Sequence, residues 1–196
     1  MLLIIIICLL TFLDQLFKYL ITVNIPYGES IEIIDGFFYL THHKNPGAAF
    51  SFLADYSWGI YILSAFSAVL LIVMLYILFK FRKNAPFIFL LDIAILIAGN
   101  LGNLIDRIRI QGVIDYLMFD FGAFIFPTFN LADSCVVVGA IGFILLTFFH
   151  KIPFFTEDAE QTTAKSEEST FSILPEDEDE DEEKNEVVHD EQEEPV

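Results

Sequence analysis

The sequence predicts an integral membrane α-helical protein with four transmembrane helices, a small extracytoplasmic β-sheet and both termini in the cytoplasm. Three observations support this fold class: four long apolar stretches, a short basic turn between the second and third stretch, and strand-like patterns in the two longer connections. A helix that crosses a bilayer takes about 20 residues. The stretches that satisfy this length cover about residues 2–22, 57–80, 86–108 and 131–150.

The 196 residues divide into two parts of unlike composition. Residues 1–150 hold 10 acidic and 7 basic side chains, whereas residues 151–196 hold 18 acidic and 3 basic ones. The apolar, nearly neutral body excludes a soluble acidic globule, and the lack of a basic face excludes nucleic acid as the main partner. We predict one membrane domain over residues 1–156 and a disordered, acidic cytoplasmic tail over residues 157–196, because the tail has too little apolar surface to fold.

The first stretch is predicted to be a retained span, because it lacks the basic leading region and the small-residue cleavage site of a signal peptide. Orientation follows from the cations of short connections, which stay in the cytoplasm. The cations that mark this side are Lys80, Arg82, Lys83 and Lys151. Segments 23–56 and 109–130 then lie outside, although Arg107 and Arg109 count against this orientation.

Both outside segments have strand character. Residues 30–41 are rich in β-branched and aromatic side chains, and Asp35-Gly36 interrupts them as a favoured hairpin turn. Residues 113–119 are predicted to form a further strand or a short surface segment. A small sheet on the outer membrane surface is the simplest arrangement of these segments.

Cysteine and histidine usage does not indicate a metal site. Cys8 and Cys135 lie in apolar runs, so we expect buried thiols rather than a disulfide or a zinc site. His42 and His43 are adjacent, so their rings point to opposite faces of an extended segment. We expect no metal and no cofactor.

The most informative residues are polar side chains within or beside the apolar spans. A charge at the centre of a membrane helix costs about 2.5–3.5 kcal/mol on insertion scales, so each of them is a functional hypothesis. The predicted topology places all of them at the outer ends of the spans or on the outside segments. They are Asp14, Lys18, Asn45, Asn100, Asn103, Asp106, Arg107, Asp115, Asn130 and Asp133. Scattered structural polar groups would not gather at one boundary, which indicates a site there.

All ten of these residues fall in four motifs that occur in order along the chain. The motifs are Asp14-Gln-Leu-Phe-Lys18; Asn45-Pro-Gly-Ala-Ala-Phe-Ser-Phe-Leu53; Gly99-Asn-Leu-Gly-Asn103-Leu-Ile-Asp106-Arg107 followed by Val113-Ile-Asp115-Tyr116; and Phe129-Asn130-Leu-Ala-Asp133-Ser134. Together they resemble lipoprotein signal peptidase, the bacterial type II signal peptidase, over about residues 10–140. Three residues depart from the family pattern without removing a titrating group: Ala98 in place of a glycine, Tyr116 in place of a phenylalanine, and Pro46 in place of a small polar residue.

The resemblance implies an aspartic endopeptidase whose catalytic pair is Asp115 and Asp133. Its substrates would be diacylglyceryl-modified prolipoproteins, cleaved just before the lipidated cysteine. It would act as a monomer in contact with membrane lipid, in the bacterial cytoplasmic (inner) membrane, with its active site at the outer, periplasmic face. Two carboxylates held close together suit this chemistry, because they share one proton and titrate jointly.

The resemblance also assigns supporting roles near the pair. Residues expected to position substrate or support the site are Asp14, Lys18, Asn45, Gly47, Asn103, Asp106, Arg107, Asn130 and Ala132. Asp106 and Arg107 are expected to pair with each other or to bond backbone carbonyls at the end of the third span.

Simpler structural explanations stand beside two of these assignments. Asn130 and Asp133 have the spacing of an N-cap residue and its partner in the first turn of a helix. Asp14 and Lys18 are one helical turn apart and would form an i,i+4 ion pair. Neither explanation excludes a place in the site.

Two other functions fit part of the sequence. A small transporter or ion-conducting protein would carry polar groups along a path through the bilayer, and Asp92 in the third span is the main residue that fits this pattern. A structural adaptor would act through the acidic tail, and deletion of residues 157–196 would then destroy its function. The peptidase interpretation predicts that activity survives this deletion, and it leaves Asp92 without a role.

Overall fold

The computed structural model describes residues 1–47 and 58–148, which form four helices and four strands. In chain order these are α1 Leu2–Asn24, β1 Ser30–Ile34, β2 Phe38–Asn45, α2 Gly59–Phe81, α3 Phe87–Ile110, β3 Val113–Asp120, β4 Ile125–Phe129 and α4 Leu131–Phe148. All four helices are long and apolar enough to cross a membrane. The predicted four apolar helices and small antiparallel sheet are confirmed, and the predicted spans match the helix bounds within two residues at each end. The predicted tail, 157–196, lies outside the described residues.

The central helix of the bundle is α3, against which α1, α2 and α4 all pack. Its side chains Phe89, Ile93 and Ile97 are almost fully buried. Lipid tails are as apolar as these side chains, so membrane helices associate through close packing rather than through the hydrophobic effect. The closest approach is to α4, because a Cβ atom on Gly99 would lie only 2.5 Å from the carbonyl oxygen of Ala132. The polar end of α3 is therefore held directly against the start of α4.

The two cysteines differ in exposure. Cys135 is buried as expected, but Cys8 is exposed on the surface of α1, so the expectation of a buried thiol is wrong there. In a membrane helix the exposed face meets lipid, which accommodates a weakly polar thiol much as a protein core does.

The strands form one antiparallel sheet in the order β1-β2-β3-β4. The predicted hairpin turn joins β1 to β2, with Gly36 at a φ of 60° that favours glycine. The predicted strand at 113–119 is β3. β4 is not among the predicted strands. It contains Pro127, whose backbone nitrogen has no hydrogen to donate to a neighbouring strand. As the last strand of the sheet, β4 tolerates this residue.

Alternate residues of β3 point to opposite faces of the sheet. Ile114 and Tyr116 pack with Ile21 and Ile25 at the end of α1. Asp115 points the other way, toward the place where α3 ends and α4 begins. Because of this alternation, the carboxylate of Asp115 lies at the polar end of the helix bundle.

Candidate active site

Asp115 of β3 and Asp133 in the first turn of α4 line one cavity of about 690 Å³. The other lining residues are Asn45, Gly47, Arg107, Val113, Phe126, Pro127, Thr128, Phe129, Ser134, Val136, Val137 and Val138. Only 3% of Asp115 is exposed. Because β3 follows α3 and β4 leads into α4, the sheet brings together two acids that are 18 positions apart in the chain.

Asn130 connects the two acids. Its Nδ2 donates to Oδ1 of Asp115 (2.8 Å), and its backbone N–H donates to Oδ2 of Asp133 (3.1 Å). Its Oδ1 in turn accepts the backbone N–H of Asp133 (2.9 Å). The two bonds with Asp133 form the reciprocal N-cap arrangement that the spacing predicted. Asn130 is fully buried, so its amide position is set by the protein rather than by water.

Asn103 reaches Asp133 from α3. Its Nδ2 donates to Oδ1 of Asp133 (2.7 Å), and its Oδ1 accepts a hydrogen bond from Nζ of Lys18 (3.1 Å). An ammonium group only donates, so Lys18 forces the oxygen of the Asn103 amide toward itself and the nitrogen toward Asp133. Lys18 thus acts on Asp133 through Asn103.

Lys18 is held by two buried carboxylates. Its Nζ lies 2.9 Å from Oδ2 of Asp14 and 2.9 Å from Oδ2 of Asp106. The first contact is the i,i+4 pair expected from the sequence. With Asn103 as the third acceptor, all three N–H groups of the ammonium are used. The pairing matters because a buried charge left without partners costs several kcal/mol (about 3–5).

Side chains from α1 and β3 occupy the free N–H groups at the start of α4. The N–H of Ala132 donates to Oδ1 of Asp14 (2.9 Å), and the N–H of Leu131 donates to Oη of Tyr116 (3.3 Å). Such groups have no partner within their own helix. The hydroxyl of Tyr116, one of the departures from the family pattern, therefore has a definite use. These bonds anchor the turn that carries Asp133.

Arg107 faces the cavity and not Asp106, so the expected ion pair between these neighbours is wrong. Asp106 pairs with Lys18 and also accepts the backbone N–H of Ile114 (3.2 Å). Consecutive residues of an α-helix point about 100° apart, which sends the two side chains to different neighbours. Nη1 of Arg107 lies 3.5 Å from Oγ of Ser67, and its buried Nε has no hydrogen-bond partner in the described part of the chain.

Asn45 reaches the site from the end of β2. Its Nδ2 donates to Oδ2 of Asp115 (3.2 Å), and its Oδ1 accepts the N–H of Gly47 (2.9 Å). The rest of that motif, residues 48–53, lies outside the described residues. Asn100 is not at the site, because its Nδ2 donates to the carbonyl oxygen of Ser67 (2.7 Å) and ties α3 to α2.

Gln15 is a supporting residue that the sequence analysis missed. Its Nε2 donates to Oδ2 of Asp14 (3.2 Å), to the carbonyl oxygen of Gly102 (3.1 Å) and to Oδ1 of Asp106 (3.0 Å). The signal was a polar stripe along α1, in which Gln15 stands between Asp14 and Lys18.

Burial raises the pKa of Asp115 from 3.8 to about 7, and the nearby charge of Asp133 acts in the same direction. The hydrogen bonds from Asn45 and Asn130 oppose the shift but do not cancel it. Near neutral pH this carboxyl group is therefore part protonated. A pair of acids that keeps one proton at this pH can accept a proton at one member and donate one from the other.

Two further observations limit the chemistry of the molecule. Asp92, near the opposite end of α3, is buried, and its Oδ2 has no hydrogen-bond partner within residues 1–47 and 58–148. It does not join the cluster of polar groups. Over the same ranges, no group of three His, Cys, Asp or Glu side chains is arranged to hold a metal ion.

Four helices long and apolar enough to cross a membrane, together with two carboxylates in one cavity, define the class as a multi-pass membrane protein whose cavity holds a pair of acids. A family model described as "Signal peptidase (SPase) II" matches residues 6–149. The chain belongs to the signal peptidase II family, a family of aspartic peptidases, and the resemblance stated from its motifs is confirmed.

Curated relatives carry the name lipoprotein signal peptidase. The protein of Listeria monocytogenes serotype 4a (strain HCC23) is 35% identical over 136 residues, which is 69% of this chain and 86% of that protein. The protein of Bacillus pumilus (strain SAFR-032) is 40% identical over 131 residues, 66% of this chain and 81% of the relative. The protein of Desulforapulum autotrophicum is 39% identical over 143 residues, covering 72% and 88%.

Two solved structures share the fold. Both are described as a bacterial membrane enzyme determined by the in meso method, and both are 32% identical to this chain. The structure at 2.3 Å resolution has a TM-score of 0.66 and covers 74% of this chain and 87% of its own. The structure at 1.9 Å resolution has a TM-score of 0.63 and covers 74% and 91%.

Proposed function

We propose that this chain removes signal peptides from diacylglyceryl-modified prolipoproteins by cleaving just before the lipidated cysteine, with Asp115 and Asp133 as the catalytic pair. The observation that carries the residue assignment is the bridge through Asn130, which bonds both acids at the wall of one cavity. Membership of the signal peptidase II family supports the reaction. No observation of this kind favours the transporter or the structural adaptor.

In the proposed reaction the two acids share one proton and hold one water molecule between them. The ionised carboxylate takes a proton from this water as its oxygen attacks the scissile carbonyl carbon. The protonated carboxyl group donates to the carbonyl oxygen, which becomes a hydroxyl of the tetrahedral intermediate. When the carbon–nitrogen bond breaks, the leaving amine takes a proton from the acid that collected it. A hydroxyl of the intermediate returns its proton to the other acid as the new carbonyl forms, so the pair again holds one proton.

Three neighbours have positioning roles in this proposal. Asn130 and Asn103 donate to the acids and hold their carboxylate planes in place. Arg107 lines the cavity, and its guanidinium carries more N–H donors than its contact with Ser67 uses, so it can donate to a backbone carbonyl of the substrate.

The walls of the cavity support a lipid-bearing substrate. One side is formed by Val136, Val137 and Val138 of α4, all of them exposed, and the other by Phe126 and Pro127 of β4. In a membrane, exposed side chains of α4 face acyl chains. A substrate whose cysteine carries diacylglycerol can therefore keep its tails in the bilayer beside α4 while its peptide reaches the acids.

The proposal includes a location and a domain boundary. The chain would act as a monomer in the bacterial inner membrane, with the acids at the periplasmic face. The basic turn between α2 and α3 supports this orientation, because Lys80, Arg82 and Lys83 would then lie in the cytoplasm. Residues 1–156 would form the catalytic domain, so removal of residues 157–196 would leave cleavage unchanged.

The test uses purified full-length protein, a diacylglyceryl-modified precursor and its unlipidated twin, with mass spectrometry of the products. Asp115→Asn and Asp133→Asn are each expected to lower cleavage of the lipidated precursor by a factor of about 10²–10⁴, the usual contribution of acid–base catalysis. Asp120→Asn, the same substitution at the far end of β3, serves as the matched control and is expected to cleave normally. A normal rate for either site variant would remove that residue from the catalytic pair, and equal cleavage of the unlipidated twin would contradict the proposed substrate.

A further inference from the structure

A second cavity, of about 360 Å³, lies where the ends of α1 and α3 meet the sheet. The side chains that matter for its chemistry are Lys18, Tyr19, Tyr27, Lys44, Asp106 and Arg109. None of them lines the cavity that holds Asp115 and Asp133.

The two cavities lie on opposite faces of the sheet. Lys44 pairs with Ile114 in the ladder between β2 and β3, and both line the second cavity. The next ladder pair, Asn45 and Val113, lines the cavity of the acid pair. Because adjacent residues of a strand point to opposite faces, a ligand in the second cavity is separated from Asp115 by the thickness of the sheet.

Within residues 1–47 and 58–148, two cations of the second cavity have no counterion. In the described part of the chain, neither Lys44 nor Arg109 forms an ion pair, and Nη1 of Arg109 donates to Oε1 of Gln15 (3.3 Å). The carboxylate on the cavity wall, Asp106, is already used by Lys18 and Gln15. The cavity therefore has an excess of positive charge.

The backbone helps to aim one of these cations. A Cβ atom on Gly112 would lie 2.6 Å from Cε and 2.9 Å from Cγ of Lys44, so the stem of the lysine runs directly across this glycine. Any larger residue at 112 would displace the stem. Because Gly112, between α3 and β3, has no side chain, it leaves room for the stem of Lys44 to extend to the cavity.

The position of the cavity relates it to the membrane surface. Tyr19 and Tyr27, near the end of α1 and just beyond it, are 63% and 67% exposed and line the cavity. Exposed tyrosines at the ends of membrane helices lie at the level of lipid headgroups. A basic pocket at this level offers charged donors to the acceptor oxygens of an anionic headgroup.

We propose that this second cavity binds a phosphate group, held by Lys44 and Arg109 and by the hydroxyls of Tyr19 and Tyr27. Phosphate matches an array of donors with excess positive charge, because it offers only acceptor oxygens and negative charge. The same group occurs in an anionic lipid headgroup and in a soluble phosphate ester. Binding on this face would tie α1, α3 and β2 together behind the catalytic pair.

The test measures binding by native mass spectrometry of the purified full-length chain in neutral detergent. The probes are phosphatidylglycerol, phosphatidylcholine and glycerol 1-phosphate. The double variant Lys44→Gln, Arg109→Gln is expected to bind phosphatidylglycerol about thirtyfold more weakly than the unmodified chain, since each basic side chain near an anionic lipid contributes about fivefold. The matched control is Arg82→Gln, Lys83→Gln, which removes the same charge from the turn at the other end of the helices. This control is expected to change the binding of phosphatidylglycerol at this site by less than about twofold.

A variant in which the two basic residues are exchanged tests whether weaker binding comes from the lost charges or from a damaged fold. Lys44→Arg with Arg109→Lys preserves the charge and is expected to retain binding, which separates a lost site from a damaged protein. If glycerol 1-phosphate displaces phosphatidylglycerol at similar concentration, the site stands and its ligand is the soluble ester. Unchanged lipid binding in the double variant, or equal loss in the control at residues 82 and 83, overturns the proposal. No substrate cleavage is measured, so the outcome is separate from that of the proposed reaction.

Discussion

Asp115→Asn is expected to stabilise the folded protein at alkaline pH while it removes activity. The fold raises the pKa of Asp115 to about 7 from 3.8, chiefly by burial. Below about pH 4 the group is neutral in both the folded and the unfolded chain, so it carries no ionisation cost. Between about pH 4 and 7 the unfolded chain gains the ionised form first, and the stability of the wild-type fold falls. Above about pH 7 the cost is complete and constant.

The size of this cost follows from the shift. A difference of about three pH units corresponds to about 4 kcal/mol at 1.36 kcal/mol for each unit. Asparagine keeps the shape but turns an NH2 group toward the donors of Asn45 or Asn130, and an unmatched buried donor costs about 1–3 kcal/mol. The net expectation above about pH 8 is a gain of about 1–3 kcal/mol in the free energy of unfolding for Asp115→Asn.

The assay is unfolding in mixtures of neutral detergent and dodecyl sulfate at several pH values between about 4 and 9, followed by the fluorescence of Trp58, the single tryptophan of the chain. The advantage of Asp115→Asn over wild type should grow with pH up to about 7 and then level off. Asp120→Asn, in the same strand, serves as the matched control variant. A difference for Asp115→Asn that is the same at both ends of the pH range would refute the assignment of a raised pKa to this residue.

Three further predictions follow from the same contacts. Lys18→Met leaves Asp14 and Asp106 buried without a cation and is expected to lower the free energy of unfolding by about 3–5 kcal/mol. The control Lys83→Met, in the exposed turn, should change this free energy by less than about 0.5 kcal/mol. Equal effects of the two variants in the dodecyl sulfate assay would contradict the role of the buried pairs. Gly99→Ala places a Cβ atom 2.5 Å from a backbone oxygen of α4 and should cost about 1–3 kcal/mol, measured in the same way, so a neutral result would mean that the two helices are not in close contact. Cleavage should fall as pH rises through about 7, because the proposed catalytic pair then loses its shared proton, and a rate that keeps rising to about pH 9 would argue against an acid pair.

Much of the fold follows from the sequence for a simple reason. A bilayer core requires about 20 apolar residues of helix, and each helix satisfies its own backbone hydrogen bonds. The bounds of the four helices are therefore a local property of composition. The hairpin at Asp35-Gly36 is local as well, since its turn needs a residue that accepts a positive φ. β4 is not local, because only its place at the sheet edge makes Pro127 acceptable.

Within the site, local and non-local features separate in the same way. The N-cap bonds of Asn130 with Asp133 and the ion pair of Asp14 with Lys18 join residues three or four positions apart, so helical spacing alone predicts them. The partner of Asp106 is different. Sequence proximity favoured its neighbour on the same helix, but the packing of α1 against α3 brings Lys18 to it.

The primary sequence was sufficient for the class of protein and for most of its clustered polar groups, Gln15 excepted, because hydrophobic length, helical spacing and ordered motifs are read residue by residue. Which of these groups touch was decided only in three dimensions. Contacts such as that of Asp14 with the amide of Ala132, 118 positions apart, depend on how closely glycine-containing helices approach and on which face of β3 each side chain takes. Chain separation carries no information about either, so only the packed bundle determines them.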